Sequence, residues 1–238
     1  MDTSPPRGRN PIIKGMNLNQ SEEKAPKFLL ALHSSSDTFG VAVLEINKKS
    51  KIKSSSTFPV GRALSNKIFS CIEEVLPAKY WKNLIRIAVA TGPGGFTGTR
   101  ISIVLGRTIC EQINCPLDGF SSFSLMANRL HKSLNTKDKG KPFWIIKELP
   151  RRGTIGGKYQ IISQKGEIDN SKLIEIERPH LLEKEINNQE TILHAEEKVS
   201  RDVLELLELS KNRHMIKAES NWKDILPIYP TSPIKDNP

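Results

Sequence analysis

The segment "ATGPGGFTGTR", residues 90–100, constrains this chain most: four glycines fall within residues 92–98. It follows "NLIRIAVAT", an apolar run that reads as a buried strand, and it precedes Ile101, Val104, Leu105 and Ile109, spaced as on a helix. A glycine-rich turn between strand and helix presents unpaired backbone N–H groups at the positive end of the helix dipole, where an anion is favoured. Gly92, Gly94, Gly95, Thr97 and Gly98 are therefore the candidate anion or nucleotide loop. Two observations oppose a nucleotide. Five residues separate Gly92 from Gly98 and no lysine follows, so the loop is not a P-loop. The spacing is also not G-x-G-x-x-G, and Asp118, near the distance of a ribose-binding acid, is read as coincidence. Glycines here equally let a helix lie close on a sheet.

Around this loop the periodicity orders the chain. "KFLLALHSSS", "TFGVAVLEI" and "KSSSTFP" read as three strands with short links, an antiparallel meander. Leu64, Ile68, Cys71, Ile72, Val75 and Leu76 mark an amphipathic helix that stops at Pro77. A second helix runs from about Thr97 to before Pro116, "PLDGF" is a short strand, and Ser121 or Ser122 caps a third helix through "FSLMANRLH". The order β-β-β-α-β-α-β-α implies a mixed sheet covered on both faces. The polar "SLNTKDKGK" marks a boundary, giving a tail at 1–26, a first lobe at 27–132 and a second at 133–238. In the second lobe "PFWIIKEL" and "KYQIIS" read as strands joined through Gly153, Gly156 and Gly157; "ETILHA" is another, before a helix carrying Val199, Val203, Leu204 and Leu207.

Catalytic constellations are missing from the pattern. His33, His131, His180, His194 and His214 form no His-x-x-x-His pair, and Cys110 and Cys115 have no histidine nearby, so no metal or cofactor is expected. Three cysteines cannot make a full disulfide framework, and no serine or cysteine stands with an adjacent base. The net charge of +10 is uneven: residues 129–165 hold ten Lys and Arg against Asp138 and Glu148, whereas acids outnumber bases beyond 166. Such a front suits RNA or an acidic partner. Phe143, Trp144 and Tyr159 of this stretch fall inside the strand-like runs "PFWIIKEL" and "KYQIIS" rather than in a pattern that would stack on bases, which leaves single-strand readout unsupported and favours a solvated basic surface. No apolar run is long enough for a membrane span, and the N-terminus lacks a secretory apolar core, with Met16 a possible start; a cytoplasmic location is expected.

"LLALHSSSDTFGVAVLE", "IAVATGPGGFTGTRISIVLGRTICEQINCPLDGFSS" and "ILPIYPTSP" together resemble the TsaB (YeaZ) family, sometimes labelled glycoprotease-like. The likeness is strongest over residues 28–127 and returns at Tyr229. It implies an α/β actin-like ATPase (ribonuclease H-like) fold with a smaller, degenerate second lobe. It also implies a role in placing threonylcarbamoyl on adenosine next to the tRNA anticodon. The family member is then a non-catalytic subunit that dimerises with a TsaD-like catalytic paralogue and meets a TsaE-like ATPase, with tRNA reached through the complex and a homodimer formed when alone. The alternative is an actin-like ATPase or kinase using the glycine loop. The chain departs from the family at His33-Ser34-Ser35, where Asp-Thr-Ser is usual, at Leu64, where a histidine is common, and at "LPRRG", where Asp-Ala-Arg is common. Each departure removes a polar ligand. In the family the paired surface comes from the helices near 64–76 and 97–113, so Phe69, Ile103, Arg100 and Arg107 are the interface candidates.

Overall fold

The computed structural model describes residues 25–46, 52–163, 171–187 and 189–230. Most of the expected 1–26 tail lies outside them. The elements are β1 (Phe28–His33), β2 (Phe39–Glu45), β3 (Ile52–Phe58), α1 (Leu64–Val75), β4 (Leu84–Ala90), α2 (Phe96–Ile113), β5 (Leu117–Phe120) and α3 (Ser122–His131). They continue as β6 (Phe143–Leu149), β7 (Gly153–Ser163), β8 (Ser171–Leu181), β9 (Thr191–His194) and α4 (Val199–Met215).

The first sheet has the order β3-β2-β1-β4-β5. β1, β2 and β3 pair antiparallel as the expected meander, while β4 and β5 run parallel to β1 through the α1 and α2 connections. This is the actin-like (ribonuclease H-like) architecture. Because strand side chains alternate between faces, the sheet has two cores. Leu30, Leu32, Phe39, Val41, Val43, Ile87 and Val89 face α1 and α2. Leu29, Ala31, Ala42 and Ala88 face α4, whose Val203, Leu206 and Leu207 fill that side. The alanines let α4 lie close, and Gly40 extends the effect: a Cβ there would stand 2.7 Å from Val199 Cγ1.

α4 thus packs on the first sheet although it follows the second in sequence. α3 ends at His131, the second sheet begins with β6 at Phe143, and the chain later returns to the first sheet through α4. The second sheet, β8-β7-β6-β9, packs Phe143, Ile145, Ile155, Tyr159 and Ile161 against Phe123, Met126 and Ala127 of α3. Gly156 and Gly157 lie inside β7, paired with Ile146 and Ile145, and do not form the expected link between strands. The reason is space: Leu182 Cδ atoms come within 2.9 Å of a Cβ at Gly156. Ser121 caps α3, its side chain accepting from Ser124 N–H.

One buried ion-pair hub fixes the far edge. Asp118, fully buried on β5, accepts from Arg86 Nη1 of β4 at 2.7 Å, Arg213 Nε of α4 at 2.8 Å and Ser210 Oγ at 2.9 Å. Its carboxylate is therefore spent inside the protein, and no ribose can reach it. Removing one partner of a buried pair leaves the other charge uncompensated. Asp118→Ala should lower unfolding free energy by about 3–5 kcal/mol, read as an earlier urea midpoint; a loss under about 1 kcal/mol would show that the hub does not hold the edge.

Candidate functional site: the glycine loop and its surroundings

The loop after β4 is held from below by the end of β1. Gly95 N–H donates to the Ser35 carbonyl at 2.6 Å, Ser34 Oγ donates to the Gly98 carbonyl at 2.8 Å, and Ser34 and Ser102 share a hydroxyl hydrogen bond at 2.6 Å. Ser122 Oγ donates to Ser35 Oγ at 2.7 Å, adding the start of α3. A Cβ at Gly94 would stand 2.2 Å from Ser35 O, and one at Gly98 would stand 2.5 Å from Ser34 O. Gly92 has φ +91° and its carbonyl accepts from Ser122 N–H, so it needs glycine for conformation. Gly95 is different: its nearest neighbour would be an ordinary 3.6 Å away.

These contacts decide what the loop does. Where a nucleotide's phosphates would need bare glycine N–H groups, backbone of this chain already lies against Gly94, Gly95 and Gly98. What stays open is a cleft of about 420 Å³ at the α2 N-terminus, lined by Gly95, Thr97 and Gly98 with Asp37 and Arg62. An anion there would meet the Asp37 carboxylate as well as the Arg62 guanidinium, so its charge is poorly matched.

At the position where the family resemblance leads one to expect an aspartate, His33 is 1% exposed. Burial pulls its pKa down to about 4, against which the Glu197 charge pulls upward. It is a neutral imidazole at neutral pH and offers no negative charge to a metal–phosphate ligand. Among the described residues no group of three or more His, Cys, Asp or Glu converges as a metal-ligand set.

The interface candidates separate. Phe69 is 56% exposed on α1 and stacks on Trp81, with ring centroids 6.2 Å apart. Ile103 is 2% exposed and belongs to the core; the buried stripe of α2 runs through Thr99, Ser102, Ile103, Gly106 and Cys110, and the outward residue is its neighbour Val104, 60% exposed. One residue along a helix is a rotation of about 100°, enough to exchange the two. Arg100 and Arg107 instead grip the C-terminal segment: the Arg100 guanidinium lies 3.6 Å from the Phe96 centroid and donates to Tyr229 OH, and that of Arg107 lies 5.7 Å from the Trp222 centroid. That segment also binds the loop, with Ile228 N–H donating to Thr91 O at 2.7 Å. In sequence Ser34 and Ser35 stand out only as a departure from the family and Ser122 only as a possible cap, while Trp222 carries no signal, because nothing local distinguishes a side chain that pins a distant element.

Substitution separates packing from ligand binding at the loop. Gly94→Ala and Gly98→Ala should each destabilise by about 1–3 kcal/mol or more, whereas Gly95→Ala should change thermal stability little. Equal tolerance at all three positions would contradict the packing role. His33 gives a pH signature: its folded pKa is below the unfolded value near 6.5, so the unfolded chain binds more protons between 6.5 and 4. Its contribution is therefore full above pH 6.5 and is lost as pH falls towards 4, on the order of 3 kcal/mol. His33→Asn should flatten that limb of the stability–pH curve.

No protein-family model matches the chain. The chain is 32% identical over 111 residues to the tRNA threonylcarbamoyladenosine biosynthesis protein TsaB of Buchnera aphidicola subsp. Schizaphis graminum, over 46% of this chain and 51% of that protein. It is 31% identical over 112 residues to the TsaB of Bacillus subtilis, over 43% of this chain and 45% of that one. The chain thus spans about half the length of the curated relatives it matches. In fold it is similar to a Pseudomonas aeruginosa protein described as similar to the peptidase YeaZ, with a TM-score of 0.62 at 18% identity, covering 86% of this chain and 100% of that one. YeaZ of Pseudomonas aeruginosa itself gives 0.57 at 17% identity, over 85% of this chain and 99% of that one. Sequence likeness over part of the chain and fold likeness over most of it thus fall on proteins named TsaB and YeaZ.

Proposed function

We propose that this chain works in tRNA threonylcarbamoyladenosine biosynthesis as a non-catalytic subunit, pairing with and activating a TsaD-like catalytic paralogue. The names of its relatives give the pathway, and one observation carries the role. α1 and α2 together cover one face of the first sheet, and the outward side of this layer exposes Phe69 and Val104 at 56% and 60%. Large apolar side chains so exposed on neighbouring helices suit burial against another protein. A TsaE-like ATPase then docks on the assembled pair, tRNA is met there, and the same helix layer supports a homodimer when the paralogue is missing.

The competing reading, an actin-like ATPase or kinase, is disfavoured by the loop: its glycines are occupied by the Ser34–Ser35 backbone, and the neutral His33 stands where a ligand carboxylate would serve. Titration calorimetry with ATP and magnesium separates the two, since turnover by the isolated chain would overturn the subunit role.

Co-expression with the catalytic paralogue tests the pairing directly. The two chains should co-purify, and threonylcarbamoyladenosine should form in the reconstituted system only with this subunit present. Phe69→Asp with Val104→Asp should weaken the pair about ten-fold or more while leaving the melting curve of the isolated chain nearly unchanged, as both side chains are exposed. Undiminished pairing would move the interface elsewhere.

A further inference from the structure

The aromatics within the basic stretch of the second lobe, Phe143, Trp144 and Tyr159, are buried, yet folding brings exposed rings to it from elsewhere. Residues 150–152 form the turn between β6 and β7, where Arg151 and Arg152 are both exposed. Neither guanidinium has an acidic partner among the described residues. This turn stands across a cleft of about 260 Å³ from the glycine loop. Pro93, Phe96, Tyr229 and Pro230 give the cleft a ring-lined wall, Arg152 supplies its free cation while Lys147 beside it is held by Glu197 at 2.7 Å, and no carboxylate lines it among the described residues. The Phe96 and Tyr229 rings, 4.9 Å apart between centroids, are each 37% exposed, and Arg100 lies against both.

Exposed rings beside unpaired arginines are the two halves of a single-strand nucleic-acid site: stacking takes the base and cations take the backbone. A duplex offers its phosphates but keeps its bases stacked on one another, so a slot of this kind selects unpaired nucleotides. An acidic protein surface would use the arginines and leave the rings idle. We propose that this cleft binds an unpaired nucleotide of RNA, its base among Phe96, Tyr229 and the prolines, its flanking phosphates on Arg151 and Arg152. RNA is chosen over DNA on the strength of the tRNA reading above, which otherwise brings RNA to the chain only through the assembled complex. This site makes the subunit itself an RNA contact.

Fluorescence anisotropy of the isolated chain tests it, with a labelled RNA hairpin bearing a single-stranded loop and the same stem as a blunt duplex. The loop RNA should bind more tightly than the duplex, and its affinity should fall with salt. Arg151→Glu with Arg152→Glu should reduce the logarithmic salt slope by about 1.4, the value for two phosphates on a single strand. Phe96→Ala should weaken binding about five-fold or more by loss of the stack. The arginines sit on an exposed turn, so the double variant stays folded and keeps the test decisive even if the Phe96 variant is unstable. Equal binding of loop and duplex, or no effect of the charge reversal, would overturn the proposal. So would displacement by a polyglutamate peptide as effective as displacement by unlabelled loop RNA, since the patch would then be an acidic-protein site. The catalytic paralogue is absent from this assay: binding without co-purification would sink the subunit reading and spare this one, and the reverse result would do the opposite.

Discussion

Close backbone contact between the end of β1 and the loop after β4 is the constraint on which the first lobe depends. Ser34 and Ser35 lie so near Gly94 and Gly98 that a single Cβ at either would collide with main-chain oxygen. A flexible side chain could move aside, but backbone that leads directly out of a strand paired with β4 cannot do so cheaply. The same serines hydrogen-bond to Gly95, Gly98, Ser102 and Ser122, so one short segment fixes the starts of both α2 and α3. A loop shape suited to holding phosphates is retained while its interior is filled by the protein itself. Glycine richness therefore reports close approach here, and the N-terminal geometry of α2 follows from it.

The second organising device brings the C-terminal segment home. Arg86 reaches past Asp118 to the Ala218 carbonyl, and Arg213 reaches the Glu219 carbonyl, so the buried hub also pins the chain that leaves α4. From there Trp222 covers the first core beside Arg107, Ile225 packs against Gly119, and Ile228 pairs with Thr91. Each contact is modest alone, yet they run in register along one path. A strap placed this way finishes the wall of the glycine-loop cleft with Tyr229, which no element of the first lobe could provide.

What the sequence disclosed follows from the range of each interaction. α1, α2 and α3 are set by residues three and four apart and by Ser121 and Pro77, all local, and the structure has them where periodicity puts them. The meander was legible for the same reason, from alternation and short links. Facing was harder: Ile103 and Val104 are both apolar β-branched residues on one helix, and only the position of the sheet decides which is buried. The return of α4 to the first sheet is a long-range event; its stripe of Val203, Leu206 and Leu207 shows a helix without naming the surface it covers. The cleft was illegible for a sharper reason, because Phe96, Arg152 and Tyr229 are brought together from three separate stretches of chain. A test for aromatics interleaved with basic residues examines sequence neighbours, whereas stacking and charge need only be neighbours in space.

The filling of the glycine loop from inside and the division of the outer surface are linked. With Ser34 and Ser35 closing the loop from inside and a neutral His33 at the end of β1, the space beneath the loop is taken by the chain's own backbone. What the loop offers is outward: α2 begins at Phe96 with its ring partly exposed, and the helix then carries Val104 about two turns further on. These two side chains open in different directions, Phe96 towards the second lobe and its basic turn, Val104 away from the sheet with Phe69. A protein bound on the α1–α2 layer would leave the ring-lined cleft uncovered, and RNA in the cleft would leave that layer free. One helix, anchored by glycines that admit no side chain, can thus present two surfaces at once without either competing for the other's residues.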